Sequence, residues 1–251
     1  MTLAAWTLFA REIVRFYRDR SRVIGALVPP VVFWFLIGSG LGGSFSGPGV
    51  PEGTTYLQFF FPGTLILIVL FTSVFSMISI IEDRREGFLQ GVLVAPEPRL
   101  AIVLGKVFGG AALAFLQALT YLVIAPLVGL PMRLSSMPFL LGELFLVSIG
   151  LAGLGFALAW RLDSTQGFHA VMNLFLIPMW LLSGALFPAS GAPFWLKAVM
   201  AANPVRYGVA ALQHGLLADA TGQLPSPSLC LAATAAFAVA VLAVSAREAN
   251  R

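Results

Sequence analysis

Charge is the scarcest property of this 251-residue sequence, and its scarcity sets the class. Only 10% of the residues are Asp, Glu, Lys or Arg, against about 25% in a soluble globular domain. Hydrophobic residues make up 59%, with 21 Phe, so too little polar surface exists to cover a globule. A soluble enzyme, a disordered tail and a nucleic-acid-binding domain are excluded together, and no nucleic-acid partner is expected. Cysteine is almost absent: Cys230 stands alone and closes no intrachain disulfide. His169, His214 and Cys230 offer no convincing metal site. The phosphate cradle Gly-x4-Gly-Lys-Ser/Thr is missing, since Leu100 precedes Gly105-Lys106 by the spacing that needs glycine and Val107 follows the lysine. Neither His-Glu-x-x-His nor Gly-x-Ser-x-Gly occurs, so no catalytic residue and no cofactor of this chain's own is assigned.

The few charges are clustered, and the stretches between them are long enough to cross a bilayer, which takes about 20 apolar residues per helix. From Val23 to Ile81 the only charged residue is Glu52, and the Gly/Ser/Pro-rich run Gly42 to Gly53 must break that stretch in two. Six spans follow: 23–42, 57–81, 103–129, 138–160, 168–187 and 227–246. Pro29-Pro30 is expected to kink or start the first. Segment 188–226 carries two apolar runs, Phe194 to Ala202 and Val205 to Leu217, each short for a crossing. A re-entrant or interfacial helical pair is the preferred reading, with further crossings or an extracytoplasmic loop as alternatives. Twelve basic residues then fall on one side and three (Arg133, Lys197, Arg206) on the other, which places both termini in the cytoplasm. The expected fold is an all-α membrane protein with six transmembrane helices, an N-terminal interfacial helix over 1–22, retained as an anchor rather than cleaved, and a re-entrant segment between helices five and six. No internal repeat supports an inverted-repeat transporter.

Two cytoplasmic elements carry more information. In residues 3–22, Trp6, Phe9, Ile13, Phe16 and Tyr17 share a helical face opposite Arg11, Arg15, Arg18 and Arg22, the pattern of a helix lying in the interface with basic side chains toward anionic headgroups. Region 82–99 begins with the charge run Glu82 to Glu86 and continues through Gly87 into an apolar helical face of Phe88, Leu89, Val92 and Leu93, ended by Pro96. That face needs a cover, either the bilayer and the chain's own spans or a soluble partner with a groove. Within the spans, Glu143 is a functional candidate by default; near the outer interface, an ion pair with Arg133 or a snorkelled side chain is the expected role. Gln117 and Thr120 line a path or bond a neighbouring helix.

The run Glu82 to Gly87 with Leu93, Pro96, Arg99, Leu104, Gly105 and Lys106 resembles the cytoplasmic signature of ABC-2-type permeases, the membrane subunits of exporters for daunorubicin-like drugs, nodulation factors and polysaccharides. A second stretch agrees: Ser183-Gly184, Phe187-Pro188, Pro193-Phe194-Trp195-Leu196 and Asn203-Pro204 with Tyr207. The chain departs from the family pattern at Arg206, Ala210 and Gln213, which leaves the subfamily and substrate open. The resemblance implies one transmembrane domain over 1–251 in a plasma (inner) membrane, contacting lipids and paired with a second permease copy as a homodimer. A separate ABC ATPase subunit carries ATP and Mg. Glu82, Arg84, Arg85, Glu86, Gly87, Phe88, Leu89, Val92, Leu93 and Pro96 become its coupling contact, and Phe187, Pro188, Asn203, Pro204 and Tyr207 an exit segment. The implied activity is export of an amphipathic drug, lipid or glycan. A secondary transporter or a membrane-embedded lipid- or glycan-modifying enzyme is the alternative.

Overall fold

The computed structural model describes residues 2–41, 53–94, 98–217 and 224–250. The glycine-rich break at 42–52, Pro96 and residues 218–223 of the predicted re-entrant segment lie outside them. The described residues fold as eleven α-helices: α1 (Thr2–Arg18), α2 (Arg20–Leu41), α3 (Tyr56–Ser76), α4 (Ile78–Arg85), α5 (Phe88–Val94), α6 (Arg99–Leu122), α7 (Met137–Arg161), α8 (Thr165–Leu181), α9 (Phe194–Ala202), α10 (Pro204–Leu216) and α11 (Pro227–Ala249). Five stretches among them are long and apolar enough to cross a membrane: α2, α3 with α4, α6, α7 and α11.

Helix α3 is the axis. It is buried along nearly its whole length and is packed by α2, α6, α7, α8 and α10. Its start is fixed by a capping box: Gln58 N donates to Thr55 Oγ1, and the Gln58 side chain accepts from Thr55 N. Helix α2 docks through one stripe, Ala26, Pro30, Trp34 and Gly38, spaced four apart. Trp34 Nε1 donates to Leu57 O at 2.9 Å, and a Cβ on Gly38 would lie 2.3 Å from Leu57 Cδ2. Pro29 and Pro30 sit in the middle of α2, not at its start. The rest of α2 turns Ile24, Val28, Val32, Phe35 and Leu36 outward, as a lipid-facing helix does.

Two spans end earlier than their apolar runs suggest. Helix α6 stops at Leu122, and a 3-10 turn over Ala125–Val128 is closed by Gly129 at φ 77°. Helix α8 stops at Leu181, well before 187, because the chain turns at Gly184 (φ 89°), a conformation that favours glycine. At 17 residues, α8 spans about 25 Å, at the short limit for a crossing. Its end is level with the upper part of α3, since Trp180 Nε1 donates to Gly63 O at 2.8 Å and Ala185 packs on Gly63. Residues 182–187 then climb to the N-terminal end of α3, where Tyr56 Oη donates to Leu186 O at 2.9 Å. This backbone is not helical, but Ser183 and Ala185 are buried against protein, the condition under which such backbone survives at membrane depth.

Helix α1 does not simply rest on a bilayer. Leu8, Glu12 and Phe16 form a buried stripe on α6, and glycines permit the contact. A Cβ on Gly105 would lie 2.8 Å from Ala5 O and 2.7 Å from Leu8 Cβ; one on Gly109 would lie 3.0 Å from Glu12 Cβ. The expected apolar face is therefore divided: Phe16 packs inward, Phe9 and Ile13 are half-buried, and Trp6 and Tyr17 remain exposed.

Gly105→Ala should force α1 off α6, at a cost of about 1–3 kcal/mol. Gly25→Ala, inside α2 and meeting open space, should lower nothing and raise stability by up to about 1 kcal/mol. Thermal unfolding of the detergent-purified variants measures the difference.

Candidate functional site: a buried charge cluster beneath a short helix

The strongest assembly of polar groups lies where α1, α4 and α6 meet. Lys106 of α6 is 1% exposed. Its Nζ donates to Glu12 Oε1 of α1 at 2.6 Å, to Ser79 Oγ of α4 at 3.1 Å and to Asp83 Oδ2 of α4. Ser79 Oγ donates to the other Glu12 oxygen at 2.8 Å. Arg11 holds Asp83 with two bonds of 2.9 and 2.7 Å, and Arg15 reaches Asp83 at 2.8 Å and Glu82 at 2.7 Å. Arg22, in the first turn of α2, donates to Glu82 at 2.7 and 2.9 Å and to Asp19 at 3.0 Å. Four cations (Lys106, Arg11, Arg15, Arg22) thus meet four anions (Glu12, Asp83, Glu82, Asp19), and the cluster is neutral. The hydrogen bond to Asp83 holds the Arg11 guanidinium above its ordinary pKa.

This changes the reading of the basic helix. Arg11, Arg15 and Arg22 do not point to headgroups; they satisfy acids of the same chain. The run Glu82 to Glu86 is likewise used mostly inside the protein. Arg84 donates to the Trp160 and Leu162 carbonyls and to Asp163 at 2.8 Å, and Arg85 donates to Asp163 O at 2.9 Å. Helix α4 is thereby pinned to α1 on one side and to the α7–α8 connection on the other. Glu86 remains exposed.

Helix α5 stands on this base. Gly87 takes φ 77° to turn the chain into it. Leu89 is buried in the main core and Val92 packs partly against it, so half of the predicted apolar face is covered by the chain's own helices. Phe88 lies under the Arg11 guanidinium, 3.8 Å from ring centroid to Cζ, a cation–π contact that ties α5 directly to the cluster. Leu93 and Val94 stay outward, Val94 85% exposed.

A cavity of about 450 Å³ opens beside the cluster. Arg22, Glu82, Thr165 and His169 supply its polar lining, Phe16, Ile78, Phe71 and Phe75 its apolar lining, and Thr72 and Ser76 add hydroxyls from α3. The His169 ring lies 4.9 Å from that of Phe75.

The remaining predicted residues separate into two groups. Gln117 is buried glue: its Oε1 accepts from Thr72 Oγ1 at 2.6 Å and its Nε2 donates to Val23 O at 3.3 Å, joining α6 to α3 and α2. Thr120 donates to its own helix at Gln117 O. Near the C-terminal end of α8, Asn203 links α9 to α10; its Oδ1 accepts from Val205 N, and its Nδ2 donates to Met179 O at 2.5 Å. Pro204 is the first residue of α10, Tyr207 Oη donates to Ala201 O at 2.8 Å, and Phe187 and Pro188 lead away from the turn after α8. Glu143 corrects an expectation. It is fully buried between α7 and α11 and accepts from Thr234 Oγ1 at 2.8 Å, with no donor among the described residues for its other oxygen. It neither snorkels nor pairs with Arg133, because α11 closes over it.

Sequence reasoning assigned no site role to Glu12, Ser79, Asp83 or Trp180. The signals were an acid at the centre of an apolar i, i+4 stripe, Leu8–Glu12–Phe16, and a lysine at the mouth of an apolar span. Lys106→Met should strand the buried Glu12 carboxylate, while Asp83 keeps Arg11 and Arg15, and lower stability by about 3–5 kcal/mol. Lys106→Met/Glu12→Gln, which restores neutrality, should recover most of that loss, as read from thermal denaturation in detergent.

Comparison with known proteins follows the same lines. The family profile described as ABC-2 type transporter matches residues 4–217. The putative transport permease ycf38 of Cyanophora paradoxa is 32% identical over 158 residues, which cover 61% of this chain and only 54% of that relative. The inner membrane transport permease YadH of Escherichia coli K12 is 26% identical over 220 residues, 86% of this chain and 83% of its own. Nodulation protein J of Rhizobium leguminosarum bv. viciae is 24% identical over 213 residues, 84% and 79% of the two chains. With its apolar helices and a profile match spanning α1 to the end of α10, the chain is a multi-pass membrane transport permease and belongs to the ABC-2 type transporter family.

Proposed function

We propose that the chain is the membrane subunit of an ATP-driven exporter, working as a homodimer above a separate pair of ATPase subunits that carry ATP and Mg²⁺. The observation that supports this reading is the mounting of α5. A short cytoplasmic helix with an apolar outer edge, Leu93 and Val94, is fixed through Leu89 and Phe88 to a neutral, buried ion cluster that also holds α1, α4 and α6. A partner that seats this edge in a groove and moves on binding ATP displaces the start of α6 and the end of α3 together. Coupling of this kind requires the partner to bind two states of the permease with different affinity.

The path reading follows from the cavity. Its lining joins ionic groups, Arg22 and Glu82, to aromatic rings, Phe16, Phe71 and Phe75, which suits an amphipathic cargo taken up at the cytoplasmic leaflet. The outward apolar residues of α2 and α8, among them Phe35, Leu36, Leu174 and Phe175, supply the face for a second copy. Six crossings with both termini cytoplasmic fit if α8 together with 182–187 forms the fifth. The re-entrant reading of α9 and α10 is supported by packing: Gly208 lies against Ile66 and Val147, each about 15 Å along its own helix, whereas Gly215 lies against Leu140 near the start of α7. Glu143 is not among the cavity-lining residues, so nothing in its placement favours an ion-coupled secondary transporter.

The exposed edge of α5, not its buried face, is the place to test coupling. Leu93→Asp/Val94→Asp should abolish co-purification with the ATPase subunit, with membrane abundance unchanged. Leu89→Asp should lower abundance itself, because Leu89 is core. ATPase recovery undiminished in the Leu93/Val94 variant would remove the coupling role of α5.

A further inference from the structure

The cavity and the charge cluster share one ion pair, Arg22 with Glu82, and the hydrogen-bonding capacity left over around it is one-sided. Both Glu82 oxygens already accept from arginines: Oε1 from Arg22, and Oε2 from Arg22 and Arg15. Arg22 uses Nε on Asp19 and one terminal nitrogen on Glu82; its other terminal nitrogen donates to nothing among the described residues. The His169 ring, one turn into α8, also makes no hydrogen bond among the described residues. Ser164 Oγ caps only the Gly167 amide of α8, and the amides of Thr165 and Gln166 have no helical acceptor. These sit at the positive end of the α8 dipole.

Deeper in the cavity the opposite holds. Thr72 Oγ1 donates to Gln117 and Ser76 Oγ donates to Ser73 O, so both hydroxyl protons are engaged. The Phe75 ring lies beside His169, and Phe71, one turn further along α3, continues the aromatic wall, the two rings 5.3 Å apart. Free donors collect near Arg22 and His169, and apolar surface runs on from Phe75 to Phe71.

We infer that the cavity binds an amphiphile with an anionic head, whose head takes the free side of Arg22 with His169 and the α8 amides, while its tail lies along Phe71 and Phe75. A cationic head would have to displace arginine from a carboxylate whose oxygens are both occupied, and a neutral head would leave the charged donor half-used. Because Arg22 is also a member of the cluster, the bound head competes with Glu82 for its guanidinium. Site occupancy is thereby felt at Glu82, a few residues before the turn into α5. This rests on the cavity being part of the transport path; the anion preference itself does not need transport to be tested.

The experiment uses the full chain in phosphatidylcholine nanodiscs and counts retained ligand by native mass spectrometry. Dodecyl phosphate, dodecyltrimethylammonium and dodecyl maltoside present one tail with three heads, and inorganic phosphate presents the head alone. Dodecyl phosphate should be retained about tenfold better than the other three, the scale of a charge-assisted contact. Arg22→Gln should remove that preference. Since this change also loosens the cluster, His169→Ala, outside the cluster, serves as the second variant and should weaken retention severalfold. Arg18→Gln, exposed and outside the cavity lining, should leave it intact. Equal retention of the three amphiphiles, or retention unchanged in both cavity variants, overturns the inference. Inorganic phosphate held as well as dodecyl phosphate overturns it too, by assigning the site to a free anion. In the complex with the ATPase, dodecyl phosphate should change ATP hydrolysis in the unmodified chain and not in Arg22→Gln. Selective binding by a chain that recruits no ATPase would leave the anion site standing and remove the exporter reading alone.

Discussion

A lysine buried between two carboxylates governs the end of this protein where α1, α4, α5 and α6 meet. Bringing Lys106, Glu12 and Asp83 out of water is expensive, and their mutual attraction compensates only if every charge and polar proton is matched. The structure meets that condition by recruitment: Ser79 bridges, Arg11 and Arg15 close the outer side of Asp83, and Glu82 takes what Arg15 and Arg22 have left. The matching fixes helix positions. Glu12 reaches Lys106 only because Gly105 and Gly109 let α1 lie directly on α6, and Asp83 reaches it only because α4 continues the line of α3 beyond Met77. An apolar contact of equal area would tolerate sliding; a network of directed bonds holds one alignment.

That alignment accounts for the placement of α5 and for the cavity. The α5 helix has seven residues and would not be stable in isolation. It persists because Leu89 enters the core and Phe88 sits beneath Arg11. The cavity persists beside it because α2 touches α3 through a single stripe and α8 is thinly packed, leaving space between them that Arg22 and His169 border. The same few residues thus set a partner-facing edge and a ligand-facing wall.

Much of this was legible in advance. The spans could be read because a long apolar run bounded by charge suits a bilayer and little else, and the family could be read because its two motifs fall in the expected order. The error at α8 came from hydropathy outweighing turn chemistry: Phe187 continues the apolar run, but Ser183-Gly184 was already a stop signal. The cluster was not legible because its members are far apart in sequence, Lys106 and Glu12 by 94 positions, and each arginine taken alone looks like a topology marker. Glu143 failed for the same reason, since Thr234 is 91 residues away. Positive charge near a membrane is read by default as facing lipid, and only three-dimensional neighbours show that it faces acid. The cavity is a property of helices that fail to touch, and no periodicity reports that.

The early end of α8 has a mechanical consequence. Its C-terminal end is fastened by indole and amide bonds, Trp180 to Gly63 and Asn203 to Met179, and by the strap of residues 182–187 beneath Tyr56. Its N-terminal end is held by the buried Phe168, the Ser164 cap and the ring contact of His169 with Phe75. The two ends of the helix are thus fastened by different means, directed bonds at one and mainly packing at the other. A repacking at the cavity can shift the N-terminal end by small steps, while the bonded end keeps its register.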